Sequence, residues 1–348
     1  MFPLRFPYAI LRRHAASEDI VLDPFCGRGT TNYAARLLGL RSYGIDVNPV
    51  AVAIARAKTP SVTPHSIMTE YDVLLATTGS AQTPTGAFWR WAFHADVLAV
   101  LVRLRHVLIN APRTPTRDAL RGVVLGALHG PRNKHRPSYL SNQSPRTFAP
   151  KPDYAVRFWR QRNRLPQPID VRDILLRRAE RYYAKESGRG TTTIETGDAR
   201  DATALQTLAE AVRWVITSPP YYGMRTYLPD QWLRAWFLGG PASPMYRDDT
   251  QVRHLSPEVF CRDLRDVWRN VRAISRADAR LVIRFGGITD RSADPREVLS
   301  ASLADSGWRV ITGRSAGLPP KARRQADHFQ RQPTRGIAEF DTWAMAIV

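Results

Sequence analysis

The sequence predicts an α/β fold: a doubly wound, seven-stranded sheet with a large, mainly helical insertion. Three observations predict it. Short apolar runs alternate with helical stretches at both ends of the chain, the pattern of a parallel sheet. A glycine-containing turn, Asp23 to Thr30, follows the first of those runs and opens a helix. The alternation then stops between about Thr59 and Gly190, where helical segments and Pro-rich stretches follow one another without strands. With 348 residues, 43% of them hydrophobic, the chain can bury a sizeable core.

Ile20 to Leu22 is the first strand. After the glycine turn a helix runs from about Thr31 to Leu38, and Gly39 stands where a helix stop is expected. Ser42 to Val47 is the second strand, followed by Asn48-Pro49 and another helix, which completes a βαβ opening. The insertion carries helices over Phe93–Leu108, Leu120–His129 and Val171–Glu186, separated by polar segments such as Pro131 to Pro152. Alternation resumes with strands at Thr192–Thr196, Trp214–Ile216 and Leu281–Phe285. Helices over Ala202–Ala211, Pro257–Ile274 and Pro295–Ser306 lie around them, and Trp308–Thr312 and Thr342–Val348 are the last two strands. The expected division is a catalytic domain from residues 1–60 and 191–348 and an insert over 61–190.

Lys and Arg total 51 against 31 Asp and Glu, a net charge of +20, and only five of the basic residues are lysines. Residues 80–190 hold 21 basic and 7 acidic residues, so most of the excess sits in the insert. Arginine forks suit phosphates and guanine edges, although an arginine-rich composition also follows from a GC-rich genome. The two cysteines, Cys26 and Cys261, form no CxxC spacing, which leaves no zinc or disulfide framework to expect. No signal peptide and no run of 18 apolar residues are visible, so the default setting is cytoplasmic, nucleoid-associated if bacterial, with no membrane partner.

Two loops carry the chemistry. In Asp23-Pro24-Phe25-Cys26-Gly27-Arg28-Gly29-Thr30, Gly27 and Gly29 let backbone approach a ligand, and the helix N-terminus attracts an anionic group. Asp46, ending the second strand, is placed to hydrogen-bond ribose hydroxyls. The spacing is neither the dinucleotide fingerprint nor a Walker A loop. In the second loop, Thr217 leads into Ser218-Pro219-Pro220-Tyr221. The prolines stiffen the turn and free the Pro219 carbonyl as an acceptor beside the Ser218 hydroxyl. Two acceptors at a fixed separation suit the two hydrogens of an exocyclic amino group, and Tyr221 offers a face for an extruded base.

This pair of motifs resembles the S-adenosylmethionine-dependent amino DNA methyltransferases, and Ser-Pro-Pro-Tyr resembles their N4-cytosine branch. The adenine-modifying relatives usually carry Asp or Asn at the position of Ser218. The resemblance covers about residues 1–60 and 191–348 and implies a Rossmann-like sheet whose last two strands form an antiparallel pair. It implies a cofactor, S-adenosylmethionine, lined by Asp23, Pro24, Phe25, Gly27, Gly29 and Thr30, with Asp46 on the ribose. Asp198 is implied to hold the adenine amino group, and Phe6-Pro7 resembles a short cofactor motif that precedes the glycine loop in some members. The insert precedes the Asp198 segment rather than following it, a departure from the related order of motifs.

Double-stranded DNA is the partner this resemblance implies, with a cognate restriction endonuclease left open. Because the last expected strand ends at Val348, target recognition is expected in the insert. Phosphate grips are expected from Arg132, Lys134, Arg136, Arg146 and Lys151, and from Lys321, Arg323, Arg324 and Arg331. The tryptophan-rich segments Phe88–Trp91 and Gln231–Trp236 read as core, and His94, His129 and His254 receive no ligand role. Gly223, in the continuation of the second loop, reads as a hinge for a lid. The other readings are an N6-adenine DNA enzyme, an RNA base methyltransferase, and an inactive DNA-binding scaffold on the same fold.

Overall fold

The computed structural model describes residues 2–79, 81–130, 136–142, 152–185, 188–206, 211–222, 231–244, 252, 256–286, 293–317 and 338–347. They form two compact units. One comprises Met1–Asn48, Gly188–Thr226 and Asp249–Val348; the other comprises Pro49–Ser187 and Tyr227–Asp248.

The first unit is built on seven strands: β1 (Ile20–Asp23), β2 (Arg41–Asp46), β3 (Thr192–Thr196), β4 (Val212–Thr217), β5 (Ser275–Phe285), β6 (Trp308–Gly317) and β7 (Glu339–Ala346). Their order in the sheet is β3-β2-β1-β4-β5-β7-β6. β1 to β5 run parallel, and β7 is antiparallel to both β5 and β6. The central strands β1 and β4 are buried on both faces, which is why they read as apolar runs rather than as alternation, whereas β3 and β6 are largely exposed. Val21, Trp214, Ile216 and Val282 face one side, with Phe6, Ile10 and Leu11 of α1 (Arg5–His14) and Ala34 and Ala35 of α2 (Thr30–Leu37). Leu22, Val215, Leu281 and Ile283 face the other, against Leu264, Val267 and Trp268 of α12 (Pro257–Ala273) and Leu299 of α13 (Pro295–Leu303). A short helix, α10 (Ala202–Gln206), adds Leu205 to that side.

The second unit is helical: α3 (Pro49–Ala57), α4 (Pro64–Thr77), α5 (Ala87–Ala92), α6 (Ala95–Asn110), α7 (Pro115–Ala127), α8 (Pro152–Gln161), α9 (Val171–Tyr183) and α11 (Trp232–Phe237). Helices α4, α7 and α9 begin at side-chain caps. Thr63 accepts from the Ser66 amide, Thr114 from Arg117 and Asp170 from Asp173, each at 3.1–3.2 Å. Trp89, Trp232 and Trp236 are buried together, with Trp89 ring centroids 5.7 Å from Trp232 and 4.5 Å from Trp236. The tryptophan-rich segments are therefore core, and they join two stretches of chain far apart in sequence.

Gly122 on α7 allows the closest helix approach in this unit's α3–α7 pair: a Cβ there would stand 2.2 Å from the Ala57 Cβ. Gly122→Ala is expected to destabilise the protein by about 1–3 kcal/mol through overpacking, although alanine gains about 1 kcal/mol of helix propensity over glycine. Gly126→Ala meets only the end of the Arg178 side chain at 3.6 Å. It is expected to be neutral or stabilising, and urea unfolding of the pair checks the contrast.

No described helix is long and apolar enough to cross a membrane. Among the described residues no cluster of three or more His, Cys, Asp or Glu is placed to hold a metal ion.

Candidate functional site

The two loops singled out in the sequence leave the carboxyl ends of adjacent strands, since β1 pairs directly with β4. After β1 the chain turns on Gly27 and Gly29, whose φ angles of +51° and +69° lie in the left-handed region that favours glycine. The Cys26 amide donates to the Ile45 carbonyl at 2.9 Å, which anchors the turn on β2. Gly29 is the N-cap of α2, and no side-chain cap covers it. Pro24 is buried, Phe25 is half-buried with its ring 6.0 Å from that of Trp268, and Thr30 opens the helix.

Asp46 ends β2 and closes on the same turn. One carboxylate oxygen accepts from the Gly27 amide at 2.9 Å and the other from the Asn48 amide at 2.8 Å. Burial pushes its carboxyl above the usual range, while those two backbone bonds pull it down. Each oxygen keeps a lone pair for a further donor. A half-buried carboxylate with spare acceptor capacity, beside glycine backbone at an uncapped helix N-terminus, fits a ribose diol and an anionic tail. These features fit the ribose and the carboxylate of S-adenosylmethionine.

Asp23 links the loops. Its carboxylate accepts from the Thr217 hydroxyl at 2.6 Å and from the Phe25 amide at 3.2 Å. Thr31, in the first turn of α2, donates its hydroxyl to the Ile216 carbonyl at 3.0 Å. Thr217 and Thr31 are both fully buried. The end of β4 is thus pinned to the cofactor loop by two buried hydrogen bonds. Thr31 directly follows the glycine loop and Thr217 directly precedes the second loop, yet nothing in the sequence marks which hydroxyl reaches which partner.

Beyond Thr217, Ser218 is half-buried, Pro219 buried and Pro220 half-buried. The Tyr221 ring packs edge-on against Phe285 at 5.5 Å, and its hydroxyl donates to Glu339 Oε1 at 2.9 Å. Glu339, the first residue of β7, carries no sequence signal and enters the site only through the sheet.

Asp198 follows β3, and the Arg200 guanidinium holds both of its oxygens at 2.6–3.0 Å. Arg200 also reaches buried Asp263 on α12 at 2.9 Å. Both oxygens of Asp198, the residue expected at an adenine amino group, thus already accept from Arg200. Phe6 and Pro7 are buried on α1, and the Arg284 guanidinium lies 3.8 Å over the Phe6 ring. Of the basic residues expected to grip phosphates, Arg136 pairs with Asp173 at 2.7 Å on the surface. Arg132, Lys134, Arg146, Lys151, Lys321, Arg323, Arg324 and Arg331 lie outside the described residues, as do Gly223 and His254. Cys26 and Cys261 are buried free thiols. His94 caps α6, and His129 is buried with Nδ1 3.0 Å from the Ser141 hydroxyl. Burial pushes the His129 imidazole down to about 4, so it stands neutral in the helical unit.

Comparison with known proteins reaches the first of these loops. Residues 1–57, which contain the glycine loop and Asp46, match the family described as DNA methylase. Over 48 residues the chain is 44% identical to the Type II methyltransferase M.MjaII of Methanocaldococcus jannaschii. That stretch is 14% of this chain and spans 9% of the length of that relative. Among solved structures, an S-adenosylmethionine-dependent methyltransferase from Methanosarcina mazei aligns over 100% of this chain and 99% of its own, at 9% identity and a TM-score of 0.38. The rRNA methyltransferase aviRa from Streptomyces viridochromogenes aligns over 99% and 85%, at 13% identity and a TM-score of 0.34.

The strand order itself, five parallel strands closed by the antiparallel β7 and its neighbour β6, defines the class: the Rossmann-like fold of S-adenosylmethionine-dependent methyltransferases. The cofactor that goes with this fold and its glycine loop is S-adenosylmethionine, and the amino-terminal 57 residues match the DNA methylase family.

Proposed function

We propose that the chain methylates an exocyclic amino group of a DNA base, with cytosine N4 as the target. The observation that carries this reading is the Ser218-Pro219-Pro220-Tyr221 loop at the end of β4, hydrogen-bonded through Thr217 to Asp23 of the adjoining cofactor loop. When bound, S-adenosylmethionine supplies an electrophilic methyl group. The chain's own residues present the nucleophile. Ser218 and the Pro219 carbonyl accept from the two amino hydrogens and favour a pyramidal nitrogen, whose lone pair is otherwise delocalised into the base. Tyr221, with its ring braced by Phe285 and its hydroxyl by Glu339, supports an extruded base by stacking. Positioning and fixed dipoles then supply the rate enhancement without a covalent enzyme intermediate. Serine at position 218, where adenine enzymes usually carry Asp or Asn, is the reason for assigning cytosine. Double-stranded DNA is the proposed partner, and the basic residues of the helical segment 80–190 are the proposed grip on its phosphates.

The test is mass spectrometry of nucleosides after reaction of the protein and S-adenosylmethionine with duplex DNA or with RNA. N4-methylcytosine in DNA is expected. N6-methyladenine in DNA would overturn the base, and modification of RNA alone would overturn the substrate class. Ser218→Ala is expected to lower kcat about 100-fold with cofactor affinity intact, by analogy with loss of one positioned hydrogen-bonding group. Near-wild-type turnover would remove Ser218 from the mechanism.

A further inference from the structure

Many arginines of the helical unit are neutralised where they stand. Arg113 and Arg121 share Asp118 at 2.8 Å, Arg117 meets Glu70 at 2.6 Å and Arg172 meets Asp72 at 2.8 Å. Arg136 and Arg177 both pair with Asp173. The end of α8 breaks this pattern. Among the described residues, Arg157, Arg160, Arg162 and Arg164 have no carboxylate within ion-pair distance. The sequence around them offers almost none, since Pro131 to Arg164 hold nine Lys and Arg against one acidic residue, Asp153. We propose that this end of α8 is the face on which the phosphates of duplex DNA dock; the proposal rests on the DNA partner reading above and names the surface for it.

The guanidiniums are placed by rings rather than by acids. Arg162 lies 4.1 Å and Arg164 5.7 Å from the centroid of the Phe158 ring, and Arg160 lies 5.9 Å from that of Trp91. Phe158 and Trp91 are half-buried, while Arg157, Arg160 and Arg162 are exposed. A ring covers one face of a guanidinium and leaves its N–H edge to the outside, where a phosphate can take two parallel bonds.

The backbone beneath these side chains is tied down. The Arg162 and Arg164 amides both donate to the Trp159 carbonyl, at 3.3 and 2.9 Å. Between them Asn163 takes a φ of +44°, in the left-handed region that asparagine tolerates better than most residues. Asn142 Nδ2 donates to the Trp91 carbonyl at 2.9 Å and to the Arg164 carbonyl at 2.7 Å. One side chain thus joins the turn that carries Arg162 and Arg164 to α5, which carries the Trp91 ring. Trp159 is buried beneath, its ring 6.1 Å from that of Phe88 on α5.

Like charges gathered on such a frame without a counter-charge repel one another, and an anionic ligand relieves that repulsion. The two rings lie under the guanidiniums, so the face presents forked donors rather than an apolar wedge for a lipid bilayer. Forked donors suit a phosphate backbone, and contacts of this kind set affinity and salt dependence rather than sequence preference.

Arg160→Gln combined with Arg162→Gln tests the face in the 348-residue chain. Arg113→Gln combined with Arg172→Gln is the control, because it removes the same charge from the same unit at paired positions. Affinity for a fluorescent DNA duplex is read by anisotropy across a salt series, without S-adenosylmethionine. For the first combination we expect binding about 10-fold weaker at low salt. The slope of log affinity against log salt should flatten by about 2, at about 0.9 per phosphate contact. The control should stay within about twofold of wild type, since its guanidiniums are already engaged by Asp118 and Asp72. Unchanged affinity and slope in the first combination, an equal loss in the control, or no duplex binding by the wild-type protein would overturn the face. Lost binding to phosphatidylglycerol vesicles with duplex affinity kept would identify a lipid surface and overturn it as well. A protein that binds duplex through this face and methylates no base would keep the face and overturn the amino-methylation reading alone.

Discussion

Asp46→Ala is expected to weaken S-adenosylmethionine binding by at least about 100-fold while leaving the sheet folded. Two effects combine. The carboxylate oxygens accept from the Gly27 and Asn48 amides, so the substitution removes the partner that shapes the glycine turn. It also removes the acceptor proposed for the ribose hydroxyls. Hydrogen bonds to a charged group contribute about 1.5–3 kcal/mol each, and 1.4 kcal/mol is a tenfold change in affinity. Loss of two such bonds therefore predicts a weakening of about 10² to 10⁴-fold. The strand itself should survive, because β2 is held by its register with β1 and β3 and not by this side chain. Isothermal titration with the cofactor checks the affinity, and far-ultraviolet circular dichroism checks the fold. An affinity within threefold of wild type would take Asp46 out of the cofactor site.

The second large effect is a pH dependence of stability traced to Asp23. Its side chain is buried, and burial pushes the carboxyl up to about 6, against the pull of its bonds from Thr217 and the Phe25 amide. The ordinary value is 3.8. Between about pH 4 and 6 the folded protein therefore keeps a proton that the unfolded chain has released. The folded state binds more protons there, so this group lowers stability as pH rises through the window. The full loss, reached above the folded value, is about 3 kcal/mol at 1.36 kcal/mol per pKa unit. Asp23→Asn stays neutral and removes the dependence. Its stability relative to wild type should thus improve by up to about 3 kcal/mol between pH 4 and pH 7.5. Urea unfolding of both proteins across that range measures the difference. A difference that does not change with pH would show that Asp23 titrates as an ordinary carboxyl.

Asp23 also shows why such a costly group is tolerated. Its carboxylate is the one that reaches across from the cofactor loop to Thr217, the residue before Ser218. A neutral amide would keep the volume but change the donor and acceptor pattern at that junction. Stability and the alignment of the two loops are thus set by the same side chain.

Most of the sheet was legible because its signals are local. Ile20 to Leu22, Ser42 to Val47 and Leu281 to Phe285 are apolar runs bounded by turns, and each falls on an observed strand, with ends displaced by a few residues. β5 and β6 extend beyond the expected runs, β5 from Ser275 and β6 to Gly317, because pairing with β4 and β7 carries polar residues into the ladder. The glycine turn was legible for the same reason, since Gly27 and Gly29 adopt the left-handed angles that their residue type permits. The insert was legible as helices. Its partners were not: α3 and residues 227–248 join the helical unit, drawn there by Trp232, Trp236 and Phe237 packing on Trp89 and the rest of that core.

The sequence by itself determined the class of fold, the two loops and the residue types they present, because strand, turn and cap preferences act over a few neighbouring residues. Only the tertiary structure decided which groups meet. Thr217 is 194 residues from Asp23, and Glu339 is 118 from Tyr221, yet each pair shares a hydrogen bond. Asp198, expected to face a ligand, is held by Arg200, which is tied in turn to Asp263 on a helix beneath the sheet. Such pairings follow from strand order and helix packing. No local pattern encodes the distance between residues that only the closed sheet brings together.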